Sequence, residues 1–116
     1  MRVFISGPMR GYDFHNYPAF DLAQSQLESL GFEVVNPAEI GRHYGIDEYT
    51  HPDRDTIKTL LLADLEALAY CDAILLLPGH ERSDGSHIEE VFGEYFGIPA
   101  FESITDLLVH REGKAA

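Results

Sequence analysis

Four short apolar runs alternate along the chain with stretches whose hydrophobic residues recur at helical spacing. The runs span residues 2–6, 32–35, 73–77 and 98–101, and each has the length of a strand. The run from Ala73 to Leu77 is apolar throughout, which is typical of the buried centre of a parallel sheet. The βαβαβαβα order predicts an α/β fold, a single-domain three-layer sandwich of the flavodoxin or Rossmann-like type. Its parallel sheet is expected to have four or five strands, in the order 2-1-3-4.

Glycines, prolines and capping residues delimit the predicted helices, which cover about 17–30, 53–70, 86–95 and 103–110. In the first of them, the apolar residues Phe20, Ala23, Leu27 and Leu30 fall on one face. The segment 36–52 shows no such periodicity, so we expect a long irregular stretch that acts as a mobile cover over a ligand site. Its two histidines are poorly spaced for a metal.

The helix that starts near Ser86 places one carboxylate beside apolar side chains. Its predicted inner face consists of Ile88, Val91, Phe92, Tyr95 and Phe96, and Glu89 lies on the shoulder of that face. A partly desolvated carboxylate is a stronger nucleophile or base than one in bulk water, and free amides at a helix start can hold an anion nearby. The simpler interpretation is that Glu89 complements the helix dipole.

A second acidic residue lies within an apolar stripe. Ile57, Leu61, Leu65 and Leu68 form the inner face of the 53–70 helix, and Asp64 belongs to the same face. A buried carboxylate costs free energy unless it has a partner. Asp64 is therefore either a functional acid or a structural residue bonded to backbone or to an arginine.

Composition narrows the classes of function. The 116 residues are enough for one domain, assigned to 1–111, with 112–116 as a frayed tail. A formal net charge of −12 with only eight Lys and Arg argues against a nucleic-acid polymer as partner. The single cysteine fits a reducing cytoplasm, and we expect no membrane span, metal or cofactor.

Two glycine-containing loops are expected to meet at the carboxyl edge of the sheet. Gly7 to Gly11 follows the first strand and Pro78 to Gly85 follows the third, with Asn36 to Glu39 after the neighbouring second strand. In open parallel sheets, ligands bind beyond the strand ends where the strand order reverses. The sequence therefore predicts a ligand site between the first and third strands.

Several motifs together resemble those of a known superfamily. They are Ile5-Ser6-Gly7-Pro8-Met9-Arg10-Gly11, Tyr17-Pro18-Ala19-Phe20, Asn36-Pro37-Ala38-Glu39, Asp64 with Cys71-Asp72-Ala73-Ile74, and Leu77-Pro78-Gly79 through Ser83, Gly85 and Glu89. In this order they resemble the nucleoside 2-deoxyribosyltransferase superfamily, most closely its small phage and bacterial branch that carries the DUF4406 domain. The superfamily also contains nucleoside 5′-monophosphate N-glycosidases.

The resemblance implies cleavage, or transfer, of the N-glycosidic bond of a 2-deoxynucleoside or nucleoside 5′-monophosphate. It makes Glu89 the nucleophile that forms a covalent glycosyl intermediate and Asp64 the residue that holds the sugar and assists proton movement. Ser83, Gly85 and Ser86 would suit a 5′-phosphate, and Tyr12 and Tyr17 would either stack on a base or serve ordinary packing. The implied substrate-binding residues are Ser6, Gly7, Met9, Arg10, Gly11, Tyr12, Tyr17, Asn36, Pro37, Glu39, Gly79, Ser83, Gly85 and Ser86.

The resemblance also implies a homodimer or larger homo-oligomer in the cytoplasm of a bacterial or phage-infected cell. One departure concerns Pro8, which stands where the hydrolases have a serine and so removes a hydroxyl and an amide from the first loop. Two alternatives stay open. The chain is either a non-catalytic nucleotide-binding protein with the same pocket, or an interaction module whose acidic surface binds a basic partner.

Overall fold

A four-stranded, all-parallel sheet forms the centre of the molecule in a computed structural model that describes residues 1–115. Its strands are β1 (Arg2–Ser6), β2 (Glu33–Val35), β3 (Ala73–Leu76) and β4 (Ala100–Phe101). They are ordered β2-β1-β3-β4, which confirms the predicted strand order and the α/β class. The order reverses between β1 and β3, so the carboxyl ends of these two strands form the edge where a ligand is expected.

Helices cover both sides of the sheet. They are α1 (Tyr17–Ser29), α2 (Pro37–His43), α3 (Arg54–Leu68), α4 (Asp84–Tyr95) and α5 (Ile104–Ala115). One core cluster joins α1 and α5 to the odd-numbered side chains of β1 and β3, among them Val3, Ile5 and Leu75. The other joins the ends of α3 and α4 to the even-numbered side chains, such as Phe4 and Ile74. The alternation of a strand therefore decides which helix layer each side chain meets.

The segment predicted to be irregular from Asn36 to Pro52 contains a helix, so that prediction was wrong for its first half. Asn36 accepts a hydrogen bond of 2.8 Å from the Ala38 amide and caps α2, and Pro37 occupies the first helical turn. This Asn-Pro pair is a helix-start signal, because proline lacks the amide that would otherwise be unpaired there. The rest of the segment, residues 44–52, is irregular as predicted, with turns at 44–45 and 48–49.

Two boundaries also differ from the prediction. The last helix continues past His110 to Ala115, so residues 112–115 of the predicted frayed tail are helical and only Ala116 lies outside the described residues. The fourth strand is only two residues long. Ser103 does cap the last helix, since its hydroxyl accepts a hydrogen bond of 3.1 Å from the Asp106 amide. None of the helices described is both long and apolar enough to cross a bilayer.

Candidate functional site

Glu89 is bonded to the end of the central strand β1. Ser6, the last residue of β1, is fully buried, and its hydroxyl donates a hydrogen bond of 2.7 Å to Glu89 Oε1. Glu89 itself is only 6% exposed, on the side of α4 that faces the sheet. Glu89 therefore lies at the carboxyl end of a central strand, which is where the sequence predicts the ligand site.

Burial shifts the protonation of Glu89 strongly. Loss of water raises the pKa of Glu89 to about 8, with smaller upward contributions from the charges of Asp64 and Glu90, while the Ser6 hydrogen bond lowers that pKa. Burial alone raises the pKa of Asp64 to about 7. The contribution of Asp64 to the pKa of Glu89 requires the two carboxyl groups to lie close enough to interact. The pKa values of both carboxyl groups therefore lie near neutral pH, and burial is the main cause of each.

Among the described residues, Asp64 has no partner that would give its buried oxygen a structural role. Its Oδ1 is buried and lacks a hydrogen-bond partner among the described residues. Of the two interpretations that the sequence left open, a backbone-bonded or arginine-bonded aspartate is not what the structure contains. An unpaired buried oxygen of this kind is costly, and it is where a ligand hydroxyl or a proton could bind.

The orientation of α4 differs from the prediction, although Glu89 does lie inside. The predicted inner residues Ile88, Val91, Tyr95 and Phe96 are all exposed, and the buried residues of α4 are Ser86, Glu89 and Gly93. A small residue determines this orientation, because a Cβ on Gly93 would lie 2.8 Å from Ile74 Cδ1 and 3.1 Å from the Ile98 carbonyl oxygen. The backbone of α4 therefore lies directly on β3 at Gly93, and this close approach turns Glu89 towards Ser6.

The first turn of α4 offers donors to an anion. Ser83 caps the helix and accepts a hydrogen bond of 3.1 Å from the Ser86 amide. The hydroxyl of Ser86 is buried and has no partner in the part of the chain that the structure describes. Free amides and the helix dipole favour a negatively charged group at this position, and the unpaired hydroxyl supplies a further donor.

The glycine loop after β1 packs closely against the end of β3. A Cβ on Gly7 would lie 2.8 Å from Leu77 Cβ, so only glycine permits this approach. Gly79 has φ of +89°, and its α-carbon is covered by the Tyr12 hydroxyl and by Pro8. The two loops predicted to meet are therefore in contact, and both glycines are required by backbone position rather than by a ligand.

A cavity of about 280 Å³ lies beside these loops, on the α1 side of the sheet. Its lining includes Tyr12 and Gly79, which the sequence predicted, and also Asn16, Ala19 and Arg82, which it did not. Glu89 and Asp64 are absent from that lining, because their helices α4 and α3 lie on the other side of the sheet from α1. A sequence signal for Arg82 was available, because it is the one arginine in the loop between β3 and α4.

The side chain of Asn16 holds the glycine loop in place by a bond to the backbone of that loop. Its side-chain amide donates a hydrogen bond of 2.9 Å to the Pro8 carbonyl oxygen and makes no cap bond to α1. Asn16 follows Phe14 and His15 in a left-handed turn, with φ of +59°, +55° and +55° respectively. Three such residues in succession are strained, so their contacts must hold the turn in place.

Other predicted binding residues have structural partners. Tyr17 is 2% exposed and its hydroxyl donates to the Ile46 carbonyl oxygen, so its ring serves packing and not base stacking. Asn36 bonds to Asp21 and Gln24 as well as capping α2. Pro37 is buried beside it. The structure therefore separates these residues from the Glu89 site.

The remaining predicted residues lie at the surface or at its edge. Met9 packs against the α1 core cluster, whereas Arg10 and Gly11 are exposed. Glu39 is exposed and lines a groove between α2 and α3. The structure thus brings together Ser6, Glu89 and Asp64, with the Ser83–Ser86 turn on the same helix as Glu89, and leaves the others outside that group.

Comparison with protein families identifies the family of this chain. A family described as "Domain of unknown function (DUF4406)" matches residues 1–101. No curated protein matches the chain. The match covers the strands and helices that carry Ser6, Asp64 and Glu89.

Proposed function

The chain belongs to the DUF4406 family, a domain of unknown function, and we propose that it cleaves the N-glycosidic bond of a 2-deoxynucleoside or nucleoside 5′-monophosphate. The observation that supports this most directly is the buried Ser6–Glu89 hydrogen bond with the unpaired Asp64 carboxyl nearby. Displacement at a sugar carbon needs one carboxylate as nucleophile and a second acid that protonates the leaving group, and two carboxyl groups with pKa values near neutral pH can fill these roles.

The proposed first step forms a bond from Glu89 to the anomeric carbon. A Glu89 oxygen attacks C1′ as the C1′–N bond breaks, the bonding electrons leave with the base, and the Asp64 carboxylic acid supplies the base with a proton. In the second step water attacks C1′, Glu89 departs as a carboxylate, and the Asp64 carboxylate takes the proton from water. The products are the free base and the sugar or sugar phosphate. With a second base in place of water, the same intermediate gives transfer.

This chemistry requires an ionised Glu89 and a protonated Asp64. In the ligand-free protein the order of the pKa values is reversed, about 8 for Glu89 and about 7 for Asp64. The Ser6 hydrogen bond already acts on Glu89 without substrate, so the further change must come from the substrate: positive charge that develops on the sugar in the transition state favours ionised Glu89. A proton that moves within the pair thus prepares the active form.

A panel of deoxynucleosides and their 5′-monophosphates, analysed by chromatography for free base, tests the proposal. We expect release of base by the wild type, and loss of that release in Glu89→Gln and Glu89→Ala. Glu94→Gln, on the exposed side of the same helix, is the matched control and should retain activity. Mass spectrometry of the rapidly quenched reaction should find the glycosyl group on the peptide that contains Glu89. Base release that survives in Glu89→Ala would exclude Glu89 as the nucleophile.

The start of α4 supports a 5′-phosphate on the substrate. The buried, unpaired Ser86 hydroxyl and the amides beside it suit a phosphate more than a neutral sugar hydroxyl. Ser86→Ala should therefore raise KM for monophosphates and leave KM for nucleosides unchanged. An equal change in KM for both substrate types would contradict a phosphate site at Ser86.

A non-catalytic nucleotide-binding protein is the second candidate, and one observation favours it. With a pKa of about 8, Glu89 carries a proton at neutral pH and can donate a hydrogen bond to a ligand. Tight binding of a nucleotide, with no product over long incubation, would identify this function. In either case the single cysteine supports a reducing compartment, and we place the protein in the cytoplasm.

A further inference from the structure

A groove of about 480 Å³ lies between α2 and α3. We name it the α2–α3 groove; side chains from residues 39–44 line one side of it and side chains from residues 63–70 line the other. Ser6, Asp64 and Glu89 are all absent from the lining, so the groove is separate from the proposed active site. What the groove binds is therefore a question independent of the proposed chemistry.

Small side chains create the groove on the α3 side. Ala63, Glu66 and Ala67 recur at i, i+3 and i+4, so they share one face of α3, and Tyr70 continues that line just after the helix ends. The two alanines carry only a methyl group each and leave the space between the helices unfilled. Small residues at a contact let helices pack at the short end of the usual separation of roughly 8–10 Å between axes. The floor of the groove therefore suits the close approach of a further helix.

One aliphatic side chain and two exposed rings complete the apolar part of the lining. Ile40 of α2 is half-buried, Tyr44 directly after α2 is 48% exposed, and Tyr70 is 73% exposed. Tyrosine is enriched at protein interfaces, because its ring buries a large apolar area while its hydroxyl can bond to the partner or to water. An apolar groove of this kind is the surface to which the apolar face of an amphipathic helix binds.

Charge indicates the kind of helix. Glu39 and Glu66 lie on opposite sides of the groove, both are exposed, and neither forms an ion pair with any described residue. The described lining contains no lysine or arginine, and the chain as a whole has a formal net charge of −12. Like charges repel, so this surface disfavours a nucleic acid, an anionic membrane and a second copy of the chain, and it favours a basic partner.

We propose that the α2–α3 groove binds a basic amphipathic helix of another protein. Ala63 and Tyr70 are about two helical turns apart, or about 10 Å along the axis, so the bound segment makes its contacts over two to three turns. Its apolar stripe lies on Ile40, Ala63 and Ala67, and lysine or arginine on both sides of that stripe pairs with Glu39 and Glu66.

Two synthetic helical peptides test the charge requirement. The probe is a fluorescent amphipathic peptide of leucine and lysine, about four turns long, and its counterpart replaces lysine with glutamate. Fluorescence anisotropy should show that the lysine peptide binds at micromolar concentration and that the glutamate peptide binds at least ten-fold more weakly. The double variant Glu39→Gln with Glu66→Gln should weaken binding of the lysine peptide at least five-fold.

A second double variant separates the groove from general attraction to an acidic protein. Glu28→Gln with Glu94→Gln removes the same charge from exposed positions on α1 and α4 and should weaken the lysine peptide less than two-fold. Equal losses in the two double variants would show that net charge alone attracts the peptide, and would overturn the proposal. Failure of the wild type to bind the lysine peptide would overturn it as well.

Ala67→Gln tests the floor of the groove without a change of charge. The longer side chain fills the groove, and glutamine is a good helix former, so the variant should fold and bind the lysine peptide at least ten-fold more weakly. Leu62→Gln is the matched control, because Leu62 is 59% exposed on α3 but does not line the groove, and it should bind like the wild type. Equal binding by Ala67→Gln and wild type would contradict the assigned floor.

Amide NMR spectra locate the bound peptide. The lysine peptide should shift resonances of α2 and α3, and shifts confined to other helices would overturn the proposal. Resonances around the groove that shift with protein concentration in the absence of peptide would identify a second copy as the occupant, which would also overturn it.

Discussion

The Ser6 hydroxyl donates a 2.7 Å hydrogen bond to Glu89 Oε1, and this bond joins the end of the central strand to the helix that follows the next strand. This bond lowers the pKa of Glu89, because a hydrogen-bond donor stabilises the ionised form of a buried carboxyl group. The loss of this donor has a defined effect.

Ser6→Ala should raise the pKa of Glu89 further above its ordinary range. A hydrogen bond to a charged group contributes about 1.5–3 kcal/mol, which corresponds to an increase of about one to two pKa units. Carbon-detected NMR titration of the Glu89 side chain measures the change. Ser29→Ala, which removes an exposed hydroxyl on α1, should leave the titration unchanged. A Glu89 pKa that stays the same in Ser6→Ala would mean that the hydroxyl does not act on the carboxylate.

Asp64→Asn should have the opposite effect on Glu89. Asparagine keeps the shape of the side chain but cannot carry the charge that raises the pKa of Glu89, so that pKa should fall. It should stay above its ordinary value of 4.5, since burial is the larger cause. The same NMR titration measures it, with Asp55→Asn in the first turn of α3 as the control. If Asp64→Asn leaves Glu89 unaffected, the two carboxyl groups do not interact.

The sequence predicted the sheet well because each step depends on local features. The uninterrupted apolar strand 73–77 and the right-handed crossovers of parallel strands leave few alternative orders. Asp64 and Glu89 were also identified from their position on helices, and the structure buries Glu89 and the Oδ1 atom of Asp64. A carboxylate on or beside an apolar stripe is a local anomaly, so no knowledge of the tertiary structure was needed to find it.

The orientation of α4 could not be predicted in the same way. Periodicity identifies an apolar stripe but does not say whether the stripe faces the sheet or a second surface. Here the close approach at Gly93 and the Ser6–Glu89 hydrogen bond determine which side of α4 faces the sheet. Both contacts join residues that are far apart in sequence. Segment 36–52 was misjudged for a different reason. The Asn36-Pro37 capping signal was present, but a seven-residue helix has too few turns to show periodicity.

Glu89→Gln should change how stability depends on pH. A carboxyl group whose folded pKa is raised binds more protons in the folded state, so stability is lost as pH rises from the unfolded value towards the folded one. For Glu89 this window runs from 4.5 to about 8, and for Asp64 from 3.8 to about 7. Below pH 4.5 the variant and wild type should be similarly stable, and above pH 8 the variant should be more stable by an amount on the order of 5 kcal/mol, since the pKa rises by about 3.5 units at about 1.4 kcal/mol each.

Urea unfolding at a series of pH values measures this difference. Glu94→Gln, which removes an exposed charge from the same helix, should give a curve parallel to that of the wild type. Parallel curves for Glu89→Gln as well would show that Glu89 titrates normally in the folded protein.

Gly93→Ala should weaken the contact that orients Glu89. The added Cβ would lie 2.8 Å from Ile74 Cδ1, closer than side chains pack, so α4 must move away from β3. We expect destabilisation of about 1–3 kcal/mol, typical of overpacking in a core, measured by urea unfolding. Gly113→Ala on α5 is the control: its Cβ would meet nothing within 4 Å, and the better helix propensity of alanine should make it neutral or slightly stabilising. The double variant Gly93→Ala with Ile74→Val lacks the Cδ1 atom that clashes and should recover part of the loss. If Ile74→Val adds its own cost without any recovery, the contact between Gly93 and Ile74 does not set the position of α4.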